Sequence, residues 1–502
     1  MVSSETFAYL SRYYADAMDK AYREIFKGAK EKSLQGYGKF DRGYHDYREG
    51  VLWTLSNKVI CEAKEKLILS DANERCLYAY SGRWWEKIDT SAFMKELVKR
   101  IFRTLEVGIR YMPFAEKISR ELLSTIKSSD EYLFTPYRRY IAFRNGVFDL
   151  KDGKMKEPSS KYVTDLVLDF DYRSREECRL LTPKTCILWD GFICGENGVF
   201  TDRDISEDFQ SFCGMFLIDR KYCKFEYLAC IHGPGANGKS VLVDAVSEVF
   251  GENYYATFTM SQLFKEGTNS SFCISDLEGK LLNVIGDLEK RDFSGGSFKN
   301  FMSGQKVMAR EPYGKKNRPV KPPMMICCTN EMPESRDDSE GHHRRMLPFQ
   351  STAKMWTEKD KDPNLTAKLT TDDARAYIFD WIYEGYVRVR NNGGKLPLSE
   401  TSMKAQKSFK ARANSMRRWW EASVWDIPPV GGNGFWKPLQ ELYSEYKAYC
   451  SDNCCDQMYD YELSRMIASN GAKKAKHGVG VVFYLCRKEI ENEIKNEETD
   501  DR

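Results

Sequence analysis

The stretch Gly233-Pro234-Gly235-Ala236-Asn237-Gly238-Lys239-Ser240 decides the fold class of this chain of 502 residues. It matches the pattern G-x-x-x-x-G-K-[ST] at every specified position. The apolar run Tyr227-Leu228-Ala229-Cys230-Ile231 before it predicts a buried strand, and residues 241–250 after it predict a helix that ends at Gly251. A strand, a glycine-rich loop and a helix in this order are typical of an α/β domain. The alternative is a chance match in a glycine-rich turn, which both flanking elements disfavour.

The residue types of this loop suit the binding of nucleotide phosphates. Glycines let backbone N–H groups approach phosphate oxygens because no Cβ intervenes, and the helix that follows adds the positive end of its dipole. Lys239 is expected to contact the β- and γ-phosphates, and Ser240 is expected to hold Mg²⁺ through its hydroxyl. We therefore predict ATP and Mg²⁺ as cofactors. The predicted cofactor-binding residues are Gly233, Pro234, Gly235, Ala236, Asn237, Gly238, Lys239, Ser240 and Val241.

A second predicted strand, residues 281–285, runs into two carboxylates at Asp287 and Glu289. A phosphate-binding loop needs such an acidic element for the metal ion and for the attacking water. We predict Asp287 as the carboxylate on the Mg²⁺ side and Glu289 as the residue that polarises the water, although the division of labour between them stays open. The alternative is a solvated turn after a strand.

A third predicted strand, residues 324–328, ends at Asn330. If this strand lies beside the phosphate-binding loop, Asn330 would face the γ-phosphate and could orient water; otherwise it is a turn-forming residue. Arg344 and Arg345 follow closely, next to two histidines that we interpret as loop residues. One of these arginines, supplied across a subunit interface, could neutralise charge on the transferring phosphoryl group, whereas an Arg-Arg pair by itself is usually a solvated surface feature.

Composition narrows the class of protein. Apolar residues make up 42% of the chain and aromatic residues 13%, which excludes a disordered or fibrous protein, and the length predicts two to four domains. The formal net charge is only +3, so any nucleic-acid-binding surface must be a local basic patch. The 15 cysteines include no C-x-x-C pair and the five histidines have no zinc-like spacing, which favours free thiols in a reducing cytoplasm. No apolar run approaches the roughly 20 residues that cross a bilayer, so we expect no membrane partner.

Five segments follow from the pattern of apolar, aromatic and turn residues. We predict a helical, aromatic-rich N-terminal accessory domain over 1–135, a small β-rich domain over 136–204 and an α/β ATPase domain over 205–395. Asn391-Asn392-Gly393-Gly394 suits the boundary before a small domain over 396–488, and 489–502 is a polar tail.

Together these motifs resemble the superfamily 3 (AAA+) helicases, in the group of phage and plasmid primase–helicases that includes a poxvirus relative. The order is the same: phosphate-binding loop at 233–240, acidic strand end at 281–289, a basic segment, Asn330, and then the arginine pair. Upstream, residues 144–150 are similar to the family pattern N-G-V-x-D-L of the pre-helicase domain, which places that domain at 136–204. The resemblance extends from residue 140 to the C-terminus and implies a hexameric ring and 3′-to-5′ movement.

The basic segment, residues 298–318, corresponds in this family to a hairpin that projects into the ring channel and grips the DNA backbone. Lys299, Arg310 and Lys315 match basic family positions, and Lys306, Lys316 and Arg318 add local charge; all six are predicted DNA contacts. The chain departs from the family at residues 303–305, often Gly-Gly-Asp, and at Pro312, often lysine, which leaves the DNA-contact set open. The alternative is an ordinary solvated hairpin.

The C-terminal segment resembles the winged helix that the family carries at this place. Apolar residues at helical spacing over 439–446 predict one helix, residues 463–467 suggest a second, and the basic stretch 473–478 leads into the strand 481–485. A winged helix would contact duplex or origin DNA. The alternative is a packing or partner-binding domain with a solvated hairpin.

The overall prediction is an ATP- and Mg²⁺-dependent DNA helicase of a phage or mobile element. It would act in a bacterial host's cytoplasm on single-stranded and forked DNA, with replication partners bound through the N-terminal or winged-helix domain. No primase domain is visible. Two alternatives stay open: a P-loop nucleotide kinase, and an origin-binding scaffold that uses ATP only to assemble.

Overall fold

The computed structural model describes residues 4–26, 42–62, 67–71, 76–88, 90–104, 112–127, 139–164, 166–218, 226–264, 268–286, 296–310, 317–330, 340–352, 354–357, 362–412, 415–453, 457–478 and 480–488. Within these residues, the helices are α1 Ser4–Phe26, α2 Arg42–Ile60, α3 Thr90–Thr104, α4 Met112–Lys127, α5 Arg175–Leu181, α6 Pro183–Ile193, α7 Arg203–Gly214, α8 Lys239–Phe250, α9 Met260–Phe264, α10 Thr268–Ser275, α11 Gly296–Met302, α12 Glu340–His343, α13 Leu365–Leu369, α14 Asp372–Asn391, α15 Glu400–Arg412, α16 Ser415–Ala422, α17 Leu439–Asp452 and α18 Asp460–Ser469. The strands are β1 Ile68–Asp71, β2 Cys76–Tyr80, β3 Trp85–Ile88, β4 Tyr140–Phe143, β5 Gly146–Asp149, β6 Lys154–Lys156, β7 Leu228–His232, β8 Tyr255–Ala256, β9 Leu282–Ile285, β10 Val307–Ala309, β11 Arg318–Val320, β12 Met324–Thr329, β13 Met346–Gln350, β14 Trp425–Asp426, β15 Phe435–Pro438, β16 Lys473–His477 and β17 Gly480–Arg487.

A five-stranded parallel sheet, in the order β13-β7-β12-β9-β8, forms the centre of the α/β part. Its strands are almost entirely apolar because helices cover both faces of a parallel sheet. β12 pairs with β7 on one side and with β9 on the other, so the carboxyl ends of all three meet at one edge. The third predicted strand therefore lies beside the strand that enters the phosphate-binding loop, which meets the condition set for Asn330.

Residues 140–218 do not form a separate core. β4, β5 and β6 make a small antiparallel sheet that packs against α14, with the rings of Phe143 and Phe379 4.9 Å apart. The Tyr172 hydroxyl donates to Asp380 on the same helix at 3.0 Å. The predicted 136–204 domain and the sheet domain therefore share one hydrophobic core. They share it because the apolar face of the small antiparallel sheet packs on α14.

Helices α7 and α14 approach so closely that glycine is required where they cross. A Cβ built on Gly214 would lie 2.7 Å from Cα of Tyr386, and one built on Gly385 would lie 2.6 Å from the carbonyl carbon of Gln210. Real Cβ atoms do not tolerate such distances to backbone atoms, so these glycines set the spacing of the two helices.

The N-terminal part, which we predicted to be helical, also contains a three-stranded antiparallel sheet, β1-β2-β3. β2 and β3 form a hairpin around Gly82, whose φ of 96° suits glycine. Buried Tyr78, Tyr80 and Trp85 pack this sheet onto α1, α3 and α4. These three aromatic residues lie on strands, in a domain that we predicted to be helical.

The C-terminal part has its own core, built from α16, α17, α18 and a sheet in which β17 pairs with β14, β15 and β16. The two predicted helices and the hairpin 473–485 are present. The predicted boundary at 396 assigned helix α15 to the C-terminal domain. In the structure α15 packs on the parallel sheet of the preceding domain. The Gln406 amide donates to the Met346 carbonyl at 2.9 Å, and Phe409 is buried under the sheet.

Across the described part of the chain, no helix is both long enough and apolar enough to traverse a bilayer.

Candidate nucleotide-binding site

The loop between β7 and α8 takes the shape of a phosphate-binding loop because several of its residues adopt positive φ. Gly233, Ala236 and Gly238 have φ values of 149°, 57° and 87°. A Cβ on Gly233 would overlap the Ser351 hydroxyl, and one on Gly238 would lie 2.6 Å from the Trp356 ring. By contrast, a Cβ on Gly235 would have no neighbour nearer than Asn330 Oδ1 at 4.0 Å, so this glycine borders open space.

A buried amide fastens the loop to the segment after β13. Asn237 is 1% exposed, and its Nδ2 donates to Ser351 Oγ at 2.8 Å and to the Thr352 carbonyl at 2.9 Å. Ser351 in turn donates to the His232 carbonyl at 3.0 Å. We predicted Asn237 as a cofactor contact; the structure gives its side chain a supporting role within the loop.

Lys239 supplies positive charge at the base of the loop. Its ammonium donates to the carbonyls of Gly233 and Pro234 at 2.8 and 2.6 Å and to Asn237 Oδ1 at 3.0 Å. Burial, together with the charge of Lys239, lowers the pKa of His232 to about 4, so this imidazole is neutral at neutral pH. The cation facing the loop is therefore the lysine.

A cleft of about 630 Å³ opens above the loop. Its walls combine the loop, the start of α8, the tip of β12 and a segment beyond β13. The lining residues are Gly235, Ala236, Asn237, Gly238, Lys239, Ser240, Val241, Cys328, Thr329, Asn330, Trp356, Asp362, Pro363, Leu365 and Thr366. The structure thus brings the predicted residues 235–241 and Asn330 together in the cleft wall. The predicted residues Gly233 and Pro234 do not line the cleft.

The segment beyond β13 was missed by sequence reasoning. The backbone N–H of Trp356 donates to the Ala236 carbonyl at 2.8 Å, which holds the indole against the loop. Asp362 accepts from Lys368 Nζ at 2.6 Å, and this hydrogen bond lowers the pKa of Asp362. An isolated tryptophan in a polar stretch gives no periodic signal, so nothing in the sequence marks it as a cleft residue.

The predicted acidic pair lies beyond the end of β9. That strand ends at Ile285, at the same sheet edge as the loop, and Gly286 follows it. Asp287 and Glu289 lie outside the described residues. Their approach to the cleft stays a prediction that rests on where β9 ends.

The two adjacent arginines have different environments. Arg345 is 8% exposed at its side chain and contacts Glu226 at 3.2 Å, Ser303 Oγ at 2.7 Å and the Gly341 carbonyl. Arg344 is 62% exposed and pairs with Glu226 at 2.6 Å. The neighbouring His342 and His343 are buried on α12, between Phe298 and Phe409, and are not the loop residues that we expected.

The basic segment forms a two-stranded hairpin, β10-β11, on the surface of the sheet domain. Lys306 and Arg310 are exposed and Lys299 is half-buried, whereas Lys315 and Lys316 lie outside the described residues. Arg318, opposite Ala309 at the end of the ladder nearer the connection between the two strands, pairs with Glu278 at 2.5 Å and contacts Ser275, so it fastens this end of the hairpin to α10 and the residues after it. Arg318 is accordingly occupied by protein contacts.

The residues of the cleft fit a nucleotide phosphate chain. Glycines keep side chains out of the loop, α8 directs its amino end at the cleft, and Lys239 supplies the cation. Ser240 is exposed at the first turn of α8, where its hydroxyl is free of the core and could serve as a metal ligand.

Comparison with known proteins gives two family matches. Residues 57–194 match a family described as "D5 N terminal like", from the end of α2 to α6. Residues 231–345 match a "Family of unknown function (DUF5906)", and this range runs from the phosphate-binding loop to Arg345.

Individual relatives are distant. A protein of Acanthamoeba polyphaga mimivirus named "Putative helicase L207/L206" is 25% identical over 218 residues, which cover 42% of this chain and 22% of that protein. The matched region thus spans about a fifth of the relative's length. Two apo structures of the NrS-1 C-terminal region are 12% and 11% identical, with TM-scores of 0.41 and 0.43, and each comparison covers 84% of this chain and 96% of the other.

The D5 match and the helicase-named relative support the resemblance to the phage-type primase–helicases. The narrower placement in superfamily 3 stays a prediction.

Proposed function

We propose that this protein is an ATP-dependent DNA helicase that acts in the replication of a phage or mobile element. The observation that carries the proposal is the joint presence, in one sheet domain, of a glycine-cradled cleft and an exposed basic hairpin. The family match over residues 57–194 and the helicase-named relative agree with it.

Nucleotide binding would use backbone N–H groups of the loop together with Lys239 and Ser240. Mg²⁺, held by Ser240 and Asp287, would neutralise charge on the phosphates. Lys239 would release the carbonyls that it now contacts and donate to phosphate oxygens. Asn330, at the tip of β12, would orient the attacking water, and Glu289 would accept its proton.

A short link connects this chemistry to the hairpin. β11 ends at Val320 and β12 begins at Met324, and Pro322 and Pro323 stiffen the connection between them. Asn330 follows the other end of β12, so the strand spans the distance from cleft to hairpin. A small shift of β12 that follows hydrolysis would therefore move Lys306 and Arg310 along a DNA backbone.

Arg344 is the better placed of the two arginines to act on a neighbouring subunit. It precedes β13, whereas the phosphate-binding loop follows the carboxyl end of the adjacent parallel strand β7. A five-residue strand separates the two ends by roughly 16 Å. Arg344 is thus exposed and remote from its own cleft, as expected of a residue that completes the cleft of the next protomer. Arg345 is held inside its own protomer.

Arg344→Ala should reduce hydrolysis in assembled rings by about 10³-fold, because it removes a positive charge from the transferring phosphoryl group. Mixing Arg344→Ala with Lys239→Ala protomers should restore part of the activity, since one supplies an intact cleft and the other an intact arginine. Steady-state hydrolysis of the mixture measures this. Arg345→Ala should instead lower the free energy of unfolding by about 2 kcal/mol, since Ser303 Oγ and the Gly341 carbonyl lose a buried donor while Glu226 keeps Arg344. No recovery in the mixture would contradict a role for Arg344 between subunits.

The proposal is tested by ATP hydrolysis with and without single-stranded DNA, alongside the native mass of the protein. A helicase should hydrolyse ATP faster when DNA is present and should assemble into a ring. A monomer whose turnover ignores DNA would favour a nucleotide kinase instead.

A further inference from the structure

The outward face of the C-terminal sheet carries aromatic residues that the nucleotide cleft does not use. β17 lies between β15 and β16, and the register places Trp436, Tyr484 and Lys473 directly opposite one another. Side chains opposite each other in neighbouring strands share a face of the sheet. Phe483 and Leu485 alternate with Tyr484 and are fully buried on the inner face. Trp436, Tyr484 and Lys473 therefore point away from the core.

Three rings form a continuous platform on this face. The Trp436 ring centroid lies 5.3 Å from that of Tyr484 and 5.8 Å from that of His477. The Gly434 N–H donates to the Tyr484 hydroxyl at 2.9 Å, which fixes the tyrosine ring. Trp436 stays 44% exposed, an unusual exposure for a large aromatic side chain held by its neighbours. The platform is thus preformed and open on one side.

The charge around the platform is positive. Strands β15, β16 and β17 contain five lysine or arginine residues and no acidic residue. One of the five, Lys437, lies on the other face and pairs with Glu441 and Glu445 of α17. Lys473, Lys474 and Lys476 are exposed on β16, the strand at the sheet edge. The register places Lys473 on the platform's face, whereas Lys474 lies over the Phe483 ring and Lys476 is opposite Val481, both on the other face. Asp426 on β14 is opposite Cys486, at the end of the sheet away from the β16–β17 turn. A ligand with an anionic backbone and flat apolar groups complements this surface.

We propose that the Trp436–Tyr484–His477 platform binds single-stranded DNA by stacking on unpaired bases while Lys473, which shares their face, contacts the phosphates. The bases must be unpaired because a duplex hides their faces, and exposed aromatic rings on a sheet stack only on bases that are splayed out. This site differs from the duplex contact that the winged-helix resemblance implies. It also lies outside the sheet domain that carries the cleft and the hairpin, so it goes beyond the helicase proposal.

The test is the affinity of the full-length protein for a fluorescently labelled oligothymidylate of about 16 nucleotides, measured by anisotropy without nucleotide. Trp436→Ala should raise the Kd by about 10-fold, because it removes one stacking ring. Trp436→Phe should stay within about threefold of wild type, since a smaller ring still stacks. Hydrolysis of ATP without DNA should be unchanged in both variants.

Tyr461→Ala is the matched control. Tyr461 is an exposed ring in the same C-terminal domain, but it lies between Asp460 and Glu462 on α18, and we expect its removal to leave the Kd unchanged. An unchanged Kd in Trp436→Ala would overturn the proposal. A second outcome would also overturn the proposal: the wild-type protein self-associates, and Trp436→Ala abolishes this association but binds DNA as wild type does. That outcome would assign the face to a second copy of the chain. If the helicase proposal alone is wrong, the wild-type protein will not hydrolyse ATP, but its DNA binding will still depend on Trp436.

Discussion

Lys239→Ala is expected to lower ATP hydrolysis by at least about 10³-fold while the fold stays intact. The ammonium of Lys239 is the cation at the base of the phosphate-binding loop, and its loss leaves the developing charge on the phosphoryl group without that partner. The measurement is steady-state phosphate release at saturating ATP and Mg²⁺, with circular dichroism to confirm the fold.

Lys354→Ala is the control for this substitution. Lys354 is an exposed lysine near the same segment; it bonds to Asn197 and does not line the cleft. It should hydrolyse ATP at the wild-type rate. If Lys239→Ala kept more than about a tenth of the wild-type rate, the assignment of the loop as the hydrolytic site would be wrong.

Gly385→Ala should be the most destabilising single substitution that we predict, with a loss of at least about 3 kcal/mol. In an unconstrained helix the same change stabilises, because alanine has less backbone freedom to lose. Here the added methyl group would press on the backbone of Gln210 across the α7–α14 contact, and neither backbone can move without opening the core. A thermal melt should show an earlier transition.

Gly191→Ala, in the same domain, is expected to leave the protein at least as stable as wild type. Gly191 lies within α6, and a Cβ there would meet nothing within 4 Å. We expect a gain of about 0.5–1 kcal/mol, or no change. Equal melting temperatures for the Gly191 and Gly385 variants would show that α7 and α14 are not in such close contact.

Local pattern was sufficient to predict the elements around the loop. Strand β7, the loop and helix α8 follow from apolar runs, glycine spacing and Gly251, and the α8 of the structure merely begins two residues earlier than predicted, at Lys239. Asn330 was placed at the cleft because β12 is a continuous apolar strand with a polar tip. These features are encoded within short windows of sequence.

Long-range contacts explain what the sequence did not predict. Arg345 is buried because Glu226 and Ser303, from two distant segments, meet it beside the preceding helix α12, and no local signal distinguishes it from Arg344. Trp356 reaches the cleft through one backbone hydrogen bond to the loop. Helix α15 carries several lysines, which indicate a solvated helix. It packs on the parallel sheet because Gln406 and Phe409, on its other face, contact that sheet. Pairing between distant segments determined each of these outcomes.

Strand displacement from a forked DNA duplex tests the central claim most directly. Wild-type protein should separate the strands only when ATP and Mg²⁺ are present, and Lys239→Ala should bind the same fork without separating it. Displacement that persists in Lys239→Ala, or an active wild-type ATPase that never separates a fork, would contradict a motor driven from this cleft.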